Sequence, residues 1–228
     1  MTDPGSRPTE PEPNTWLFPP ANTADEHGMV AIGADVTPGT LLAAYRSGLF
    51  PMPIEPGGLM GWWSPNPRGV LHPKQLKVSR SLRRSRQHFE IRVNTAFAEV
   101  MDACADPSRP QGWIDEQIMA AYLALHQLGW AHSIEAWDDQ GLAGGLYGIA
   151  VGGLFAGESM FHRRPDASKV ALMGLVELMA PQPEWLIDVQ WLTDHLATLG
   201  CTEMTRDDYL AVLPMLVSGP GLLWPGGV

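Results

Sequence analysis

Three polar side chains stand in apolar surroundings where they could do chemistry. Glu158 lies in "GGLFAGESMF" (152–161), and Asp188 and Gln190 interrupt "WLIDVQWL" (185–192). An ionised carboxylate buried without partners costs several kcal/mol, so each acid needs either a partner or an opening. Side chains alternate across a strand, which turns Asp188 and Gln190 to one face and Ile187, Val189 and Trp191 to the other. Gln190 could then hold Asp188, or both could line one cleft. The same alternation puts Glu158 on the face of Ala156 and Met160. If the two strands are neighbours, two carboxylates converge on one cavity, where they could move a proton or hold a cation. The plainer alternative is that each acid pairs with a nearby arginine such as Arg163 or Arg164.

Other reactive types are less organised. In "HRRPDASK" (162–169), Asp166 or Ser168 could cap a helix whose free N–H groups, with Arg163, Arg164 and Lys169, would suit an anion; ordinary capping with solvated charges fits as well. No histidine pair has metal-ligand spacing on a helix, and no serine sits in a GxSxG elbow. Two cysteines, Cys104 and Cys201, are too few for a disulfide framework or a zinc site. Trp113 and Tyr122 read as core residues, with stacking on a base as the sharper option.

The elements that would position these groups follow from periodicity and punctuation. "AHSIEAWDD", "LAGGLYGIAVG" and "LFAGESMF" are separated by tight turns and predict a three-stranded antiparallel meander. A helix over about 167–179, the strand "WLIDVQWL" and a short helix over about 193–199 complete a mixed α/β pattern. Upstream, helices are expected near 79–87, 96–106 and 115–129. The Pro/Gly-rich stretch "PMPIEPGGLMGWWSPNPRG" reads as a junction. The chain therefore divides into a flexible leader (1–15), a small N-terminal α+β domain (16–67) and a main domain (68–228).

The 228 residues carry a formal net charge of −10, yet the charge is segregated. From His72 to Arg92 there are seven Lys or Arg and one Glu, whereas the remainder sums to −16. A phosphate backbone could be drawn to that strip while the rest of the surface repels it; a solvated basic helix face is the alternative. No apolar run reaches membrane-spanning length and no signal peptide is evident, so a cytoplasmic protein is expected.

Long ordered motifs then add a resemblance. "VAIGADVTPGTLLAAYRSGLFP", "WWSPNPRGVL", "VSRSLRR", "WIDEQIMAAYLALHQLGWAHSIEAW", "GGLYGIAVGGLFAGESMFHRRPDASKVAL" and "LIDVQWLTDHLATLG" together resemble leucyl/phenylalanyl-tRNA–protein transferases, from about Trp16 to Leu213. The resemblance implies a main domain of the GNAT acyltransferase type. It implies transfer of Leu or Phe, and sometimes Met, from aminoacyl-tRNA to a protein's N-terminal Arg or Lys, feeding the bacterial N-end rule degradation route. Carried over, the catalytic pair falls on Asp188 and Gln190, with Glu158 lining the same site. The apolar pocket for the transferred side chain falls on Leu146, Phe155, Met160, Leu175 and Ile187. The terminal adenosine is expected near Tyr45, Trp113 and Tyr122, and tRNA contacts on Lys77, Arg80, Arg83, Arg84 and Arg86. The family commonly reads "FPW" where this chain has "FPM", so Met52 takes an aromatic's place.

Aminolysis of an activated tRNA ester needs no metal, ATP or coenzyme, so no cofactor is expected. Asp188, steered by Gln190, would orient the amine and accept its proton directly or through a relay, a role the tRNA ribose hydroxyl could share. A monomer is expected. A coenzyme A-dependent N-acetyltransferase is the nearest rival, but "HRRPDASK" lacks the glycines that cradle a pyrophosphate. A cross-bridge-building relative and a non-catalytic tRNA-binding module are the others.

Overall fold

Two sheets meet over a common core. A computed structural model describes residues 7–55, 57–107 and 112–225. The smaller sheet has the order β1–β3–β2, from β1 (Met29–Ile32), β2 (Phe50–Pro53) and β3 (Met60–Trp63), with α1 (Pro38–Arg46) between β1 and β2. The larger uses β4 (Arg68–Leu71), β5 (Glu90–Val93), β6 (Ala131–Asp138), β7 (Gly141–Val151), β8 (Leu154–His162), β9 (Leu186–Gln190) and β10 (Thr202–Met204). Its order is β10–β4–β9–β8–β7–β6–β5, antiparallel throughout except for the β8–β9 pair. The architecture is mixed α/β, and the expected meander is β6–β7–β8.

The remaining helices are α2 (Arg80–Ser85), α3 (Phe97–Cys104), α4 (Glu116–Gln127), α5 (Ala167–Met179), α6 (Asp194–Thr198) and α7 (Arg206–Ser218). α5 and α2 cover one face of the large sheet, in an apolar cluster with Leu146, Phe155, Ile187 and Leu82. On the other face, Val100 and Met101 of α3 and Tyr122 and Leu125 of α4 share one cluster with Leu41, Tyr45 and Trp62 of the small sheet and its helix. The small lobe therefore has no separate core.

β8 and β9 pair only over Leu154↔Leu186, Phe155↔Ile187 and Ala156↔Asp188, and then part. β8 also bulges there. Tyr147 faces Ser159 and Gly148 faces Gly157, which leaves Glu158 without a cross-strand partner. Gly148 is required opposite the bulge, because a Cβ there would lie 2.2 Å from the Ala156 carbonyl oxygen. The bulge corrects the expected face pattern. Ala156 sits in the α3–α4 cluster and Glu158 meets Tyr45 and Tyr122 beside it, whereas Met160 packs on the α5 side. An extra residue shifts the parity of every side chain beyond it.

Alternation fails on β9 for a similar reason. Gln190 has φ 59°, a left-handed conformation that is uncommon outside glycine. Trp191 consequently packs edge-on to Phe50 and Trp63 of the small sheet, not beside Ile187 and Val189. Gly69 of β4 makes room for this turn, since a Cβ would lie 2.8 Å from the Leu192 nitrogen.

The leader is pinned over much of its length, contrary to expectation. Thr9 exchanges hydrogen bonds with Leu128 and Trp130, and Glu10 pairs with Arg46 at 2.7 Å. Polar backbone left beside α1 and α4 is satisfied this way. Residues 1–6 lie outside the described residues. No helix among the described residues is long and apolar enough to cross a membrane.

Candidate active site

Where β8 and β9 part, a cavity of ≈ 690 Å³ opens. Its wall is apolar, from Phe50, Met52, Ile54, Trp113, Val189, Trp191 and Leu196, and Glu158 and Gln190 supply polar groups within it. β2 and the segment after it form one side, the end of β9 the other.

Asp188 stands behind this cavity, not in its wall. Its side chain and that of Arg68 are each 1% exposed. Arg68 donates from Nε to Oδ1 (2.8 Å) and from Nη2 to Oδ2 (2.6 Å), the Tyr209 hydroxyl donates to Oδ2 (2.9 Å), and the Gln190 backbone N–H donates to Oδ1 (2.9 Å). Arg68 lies between the rings of Phe50 (4.7 Å) and Tyr209 (4.6 Å) and donates to the Gly48 carbonyl at 3.3 Å. Burial works most strongly against the guanidinium, but the charge and hydrogen bonds of Asp188, with the neighbouring Tyr209 and Glu158, together outweigh it and hold the proton above the usual arginine range. Burial and the Asp188 charge together push the Tyr209 phenol well up. With four donors filling its lone pairs, Asp188 has no acceptor capacity left for an incoming amine. Of the two routes expected, direct acceptance by Asp188 does not fit this geometry, since its carboxylate is committed to Arg68, and a role through Gln190 does.

Gln190 is what Asp188 positions. The left-handed backbone of Gln190 is held through its N–H, and its side-chain nitrogen, in the orientation that satisfies both ends of the amide, donates to the Gly157 carbonyl at 2.9 Å. The amide oxygen is then the group's remaining acceptor at the cavity.

Glu158 completes the polar wall. The hydroxyls of Tyr45 and Tyr122 lie 2.8 and 3.1 Å from its two carboxyl oxygens and 2.5 Å from each other. Burial pushes this carboxyl up to about 8, with the charge of Asp188 adding and the two tyrosines and Arg68 opposing. A carboxyl whose folded pKa lies above its ordinary 4.5 contributes stability that is fully present below 4.5 and is lost as pH rises through about 8. Unfolding midpoints should accordingly fall more between pH 6 and pH 9 for the native chain than for Glu158→Gln; parallel pH profiles would contradict this.

The match to known proteins covers these same segments. The family model described as leucyl/phenylalanyl-tRNA protein transferase matches residues 70–214, and that of its N-terminal domain matches residues 34–66. The chain belongs to this transferase family. Among curated relatives, the leucyl/phenylalanyl-tRNA–protein transferase of Aromatoleum aromaticum is 51% identical over 218 residues, covering 90% of this chain and 92% of the relative. That of Nitrosomonas europaea is 47% identical, covering 90% and 89%.

In this transferase the residues singled out from the sequence fall into four places. Glu158, Gln190 and Trp113 line the cavity, with Met52 among its apolar wall. Tyr45 and Tyr122 are fully buried and reach the site through their hydroxyls, so neither presents a ring face there. Leu146, Phe155, Leu175 and Ile187 come together in the α5-side cluster with Met160 against it, as packed core and not as an open hole. Met160 also borders a second hollow of ≈ 580 Å³ with Asp102, Asp106 and His162.

Lys77, Arg80, Arg83 and Arg84 are exposed on and before α2, whereas Arg86 turns inward to the Phe89 carbonyl (3.1 Å) and Glu177 (3.4 Å). At the start of α5 the charges are spent on one another. Lys169 pairs with Asp166, Arg163 with Glu99 and Arg164 with Asp138, and Asp166 makes no side-chain cap. This leaves little of an anion site.

Two residues that hold Asp188 in place escaped the sequence reading, Arg68 and Tyr209. Arg68 carried a signal, as a charge opening the apolar run "RGVL". Tyr209 carried none.

Proposed function

We propose that the protein transfers Leu, Phe or Met from aminoacyl-tRNA to the α-amine of proteins beginning with Arg or Lys, marking them for N-end rule degradation. Residues 16–67 form its small lobe and residues 68–228 a GNAT-like catalytic lobe. What supports the GNAT reading is the parallel β8–β9 pair that splays beside a bulge. The observation that carries the functional reading is an acid and an amide, Glu158 and Gln190, set in an apolar cavity at that splay, in a chain of this family.

Aminolysis needs the amine brought near the ester carbonyl in neutral form, and α-amines have a reference pKa of about 8. The Gln190 oxygen accepts an N–H of that amine, and Gly157 fixes its orientation. Asp188 acts through Gln190 and Arg68 as a positioning residue, not as the base. The amine's proton then passes to the leaving ribose oxygen, within the tRNA itself. Glu158 faces the acceptor's cationic side chain. The transferred side chain is assigned to the cluster of Leu146, Phe155, Leu175 and Ile187, which is packed in the resting fold and has to open beside the adaptable thioether of Met160 to receive it.

Incubation with labelled Phe-tRNA tests this directly. Label should reach a peptide beginning with Arg and not one beginning with Ala; transfer to neither, or equally to both, would overturn the reading. The exposed strip is assigned to the phosphate backbone. Arg83→Ala combined with Arg84→Ala should raise KM for aminoacyl-tRNA, leave kcat unchanged and reduce the salt slope by about 2. An unchanged salt dependence would remove α2 from the interface.

A further inference from the structure

The hydroxyls of Tyr45 and Tyr122 and the Glu158 carboxyl form a closed triangle, with oxygen–oxygen separations of 2.5, 2.8 and 3.1 Å. Each side of such a triangle needs one proton. A tyrosine hydroxyl has one to give, and an ionised carboxylate has none. With Glu158 ionised, two protons would serve three contacts. If both tyrosines donated to the carboxylate, lone pairs would meet across the 2.5 Å between their hydroxyls. Only a carboxylic acid supplies the missing donor: one tyrosine donates to the other, the second to one carboxyl oxygen, and the Glu158 O–H closes the ring.

We infer that Glu158 carries a proton in the resting site, shared in this ring with Tyr45 and Tyr122, and releases it to solvent when the cationic side chain of an acceptor N-terminus enters the cavity.

The groups around it favour the neutral resting form. α1 contributes Tyr45 and α4 contributes Tyr122, whose ring is backed edge-on by Tyr147 of β7 at 5.6 Å. From the other side come Asp188 of β9, Arg68 of β4 and Tyr209 of α7, but Asp188 and Arg68 cancel each other through two charged hydrogen bonds. No cation of the protein is therefore left to pair with Glu158 among these groups. Burial likewise holds its carboxyl up to about 8. A guanidinium or ammonium arriving through the cavity is the partner the site lacks. It converts the acid to a carboxylate, one proton leaves, and the net charge of the site is conserved. Neutral N-termini cannot drive that exchange, so the ring selects for charge without carrying a standing charge in the empty cavity. Because binding releases a proton, acceptor affinity then rises with pH, by up to about tenfold per unit of increase while the pH stays below the carboxyl's pKa.

The inference rests on the acceptor assignment above, and the test separates the two. Binding of an Arg-starting peptide without tRNA is followed by calorimetry at pH 7 in phosphate and in Tris, whose ionisation enthalpies differ. The native protein should release about one proton more than Glu158→Gln, which also accounts for the peptide's own α-amine. Equal proton release overturns the inference, whereas absence of binding to the native protein overturns the acceptor assignment instead. Infrared spectra of the native protein decide the proton without any variant. A protonated-carboxyl C=O band should be present in the free protein at neutral pH and be lost on adding the peptide. Absence of that band in the free protein, or its persistence in the complex, overturns the inference.

Discussion

Arg68→Ala should lower the stability of the folded chain by about 3–5 kcal/mol, the range for removing one member of a buried ion pair. The deleted guanidinium leaves Asp188 uncompensated at 1% exposure, with only Tyr209 and the Gln190 N–H as donors, and it empties the space between Phe50 and Tyr209. Urea unfolding measures this. The double variant Arg68→Met with Asp188→Leu distinguishes charge from packing, because replacing both members of such a pair by apolar groups is often neutral or stabilising. That double variant should recover most of the stability and none of the transfer activity, since Gln190 loses its backbone anchor. If the double variant were active, Asp188 and Arg68 would be structural alone.

Gln190→Ala carries the second large effect, and it falls on rate. Loss of one positioned polar group at a reacting centre costs about 10²–10³ in kcat. The amide oxygen meets the amine only as it attacks, so kcat should fall while KM for aminoacyl-tRNA stays constant. Single-turnover transfer from labelled Phe-tRNA reads both. Gln190→Glu should rescue little, because a carboxylate cannot donate to the Gly157 carbonyl that orients the native side chain. A Gln190→Ala protein with native kcat would remove this residue from the mechanism.

Much of the scaffold was legible because it is written in local patterns. The meander follows from turns at its corners, and α5 occupies Ala167–Met179, where helical spacing placed it. β4, β10 and α7 were not legible. β4 and β10 are short, and α7 contains Pro214, which masks its helical pattern. At the site, the polar residues Glu158, Asp188 and Gln190 announced themselves by standing in apolar strands. Their environments did not. The partner of Asp188 lies 120 residues away in the chain, a distance no spacing rule spans. The faces of Met160 and Trp191 depended on a bulge and on one left-handed residue, and each reverses the strand alternation that sequence reasoning assumes.

Arg68 is gripped by both parts of the molecule at once, by Gly48 and Phe50 from the segment carrying β2 and by Asp188 and Tyr209 from β9 and α7. The two banks of the cleft are thus riveted at its floor and cannot swing as independent jaws. Amide protons of β2 and β9 should exchange with deuterium through one shared opening event. Admission of a bulky tRNA terminus then falls to side chains at the rim, not to a hinge.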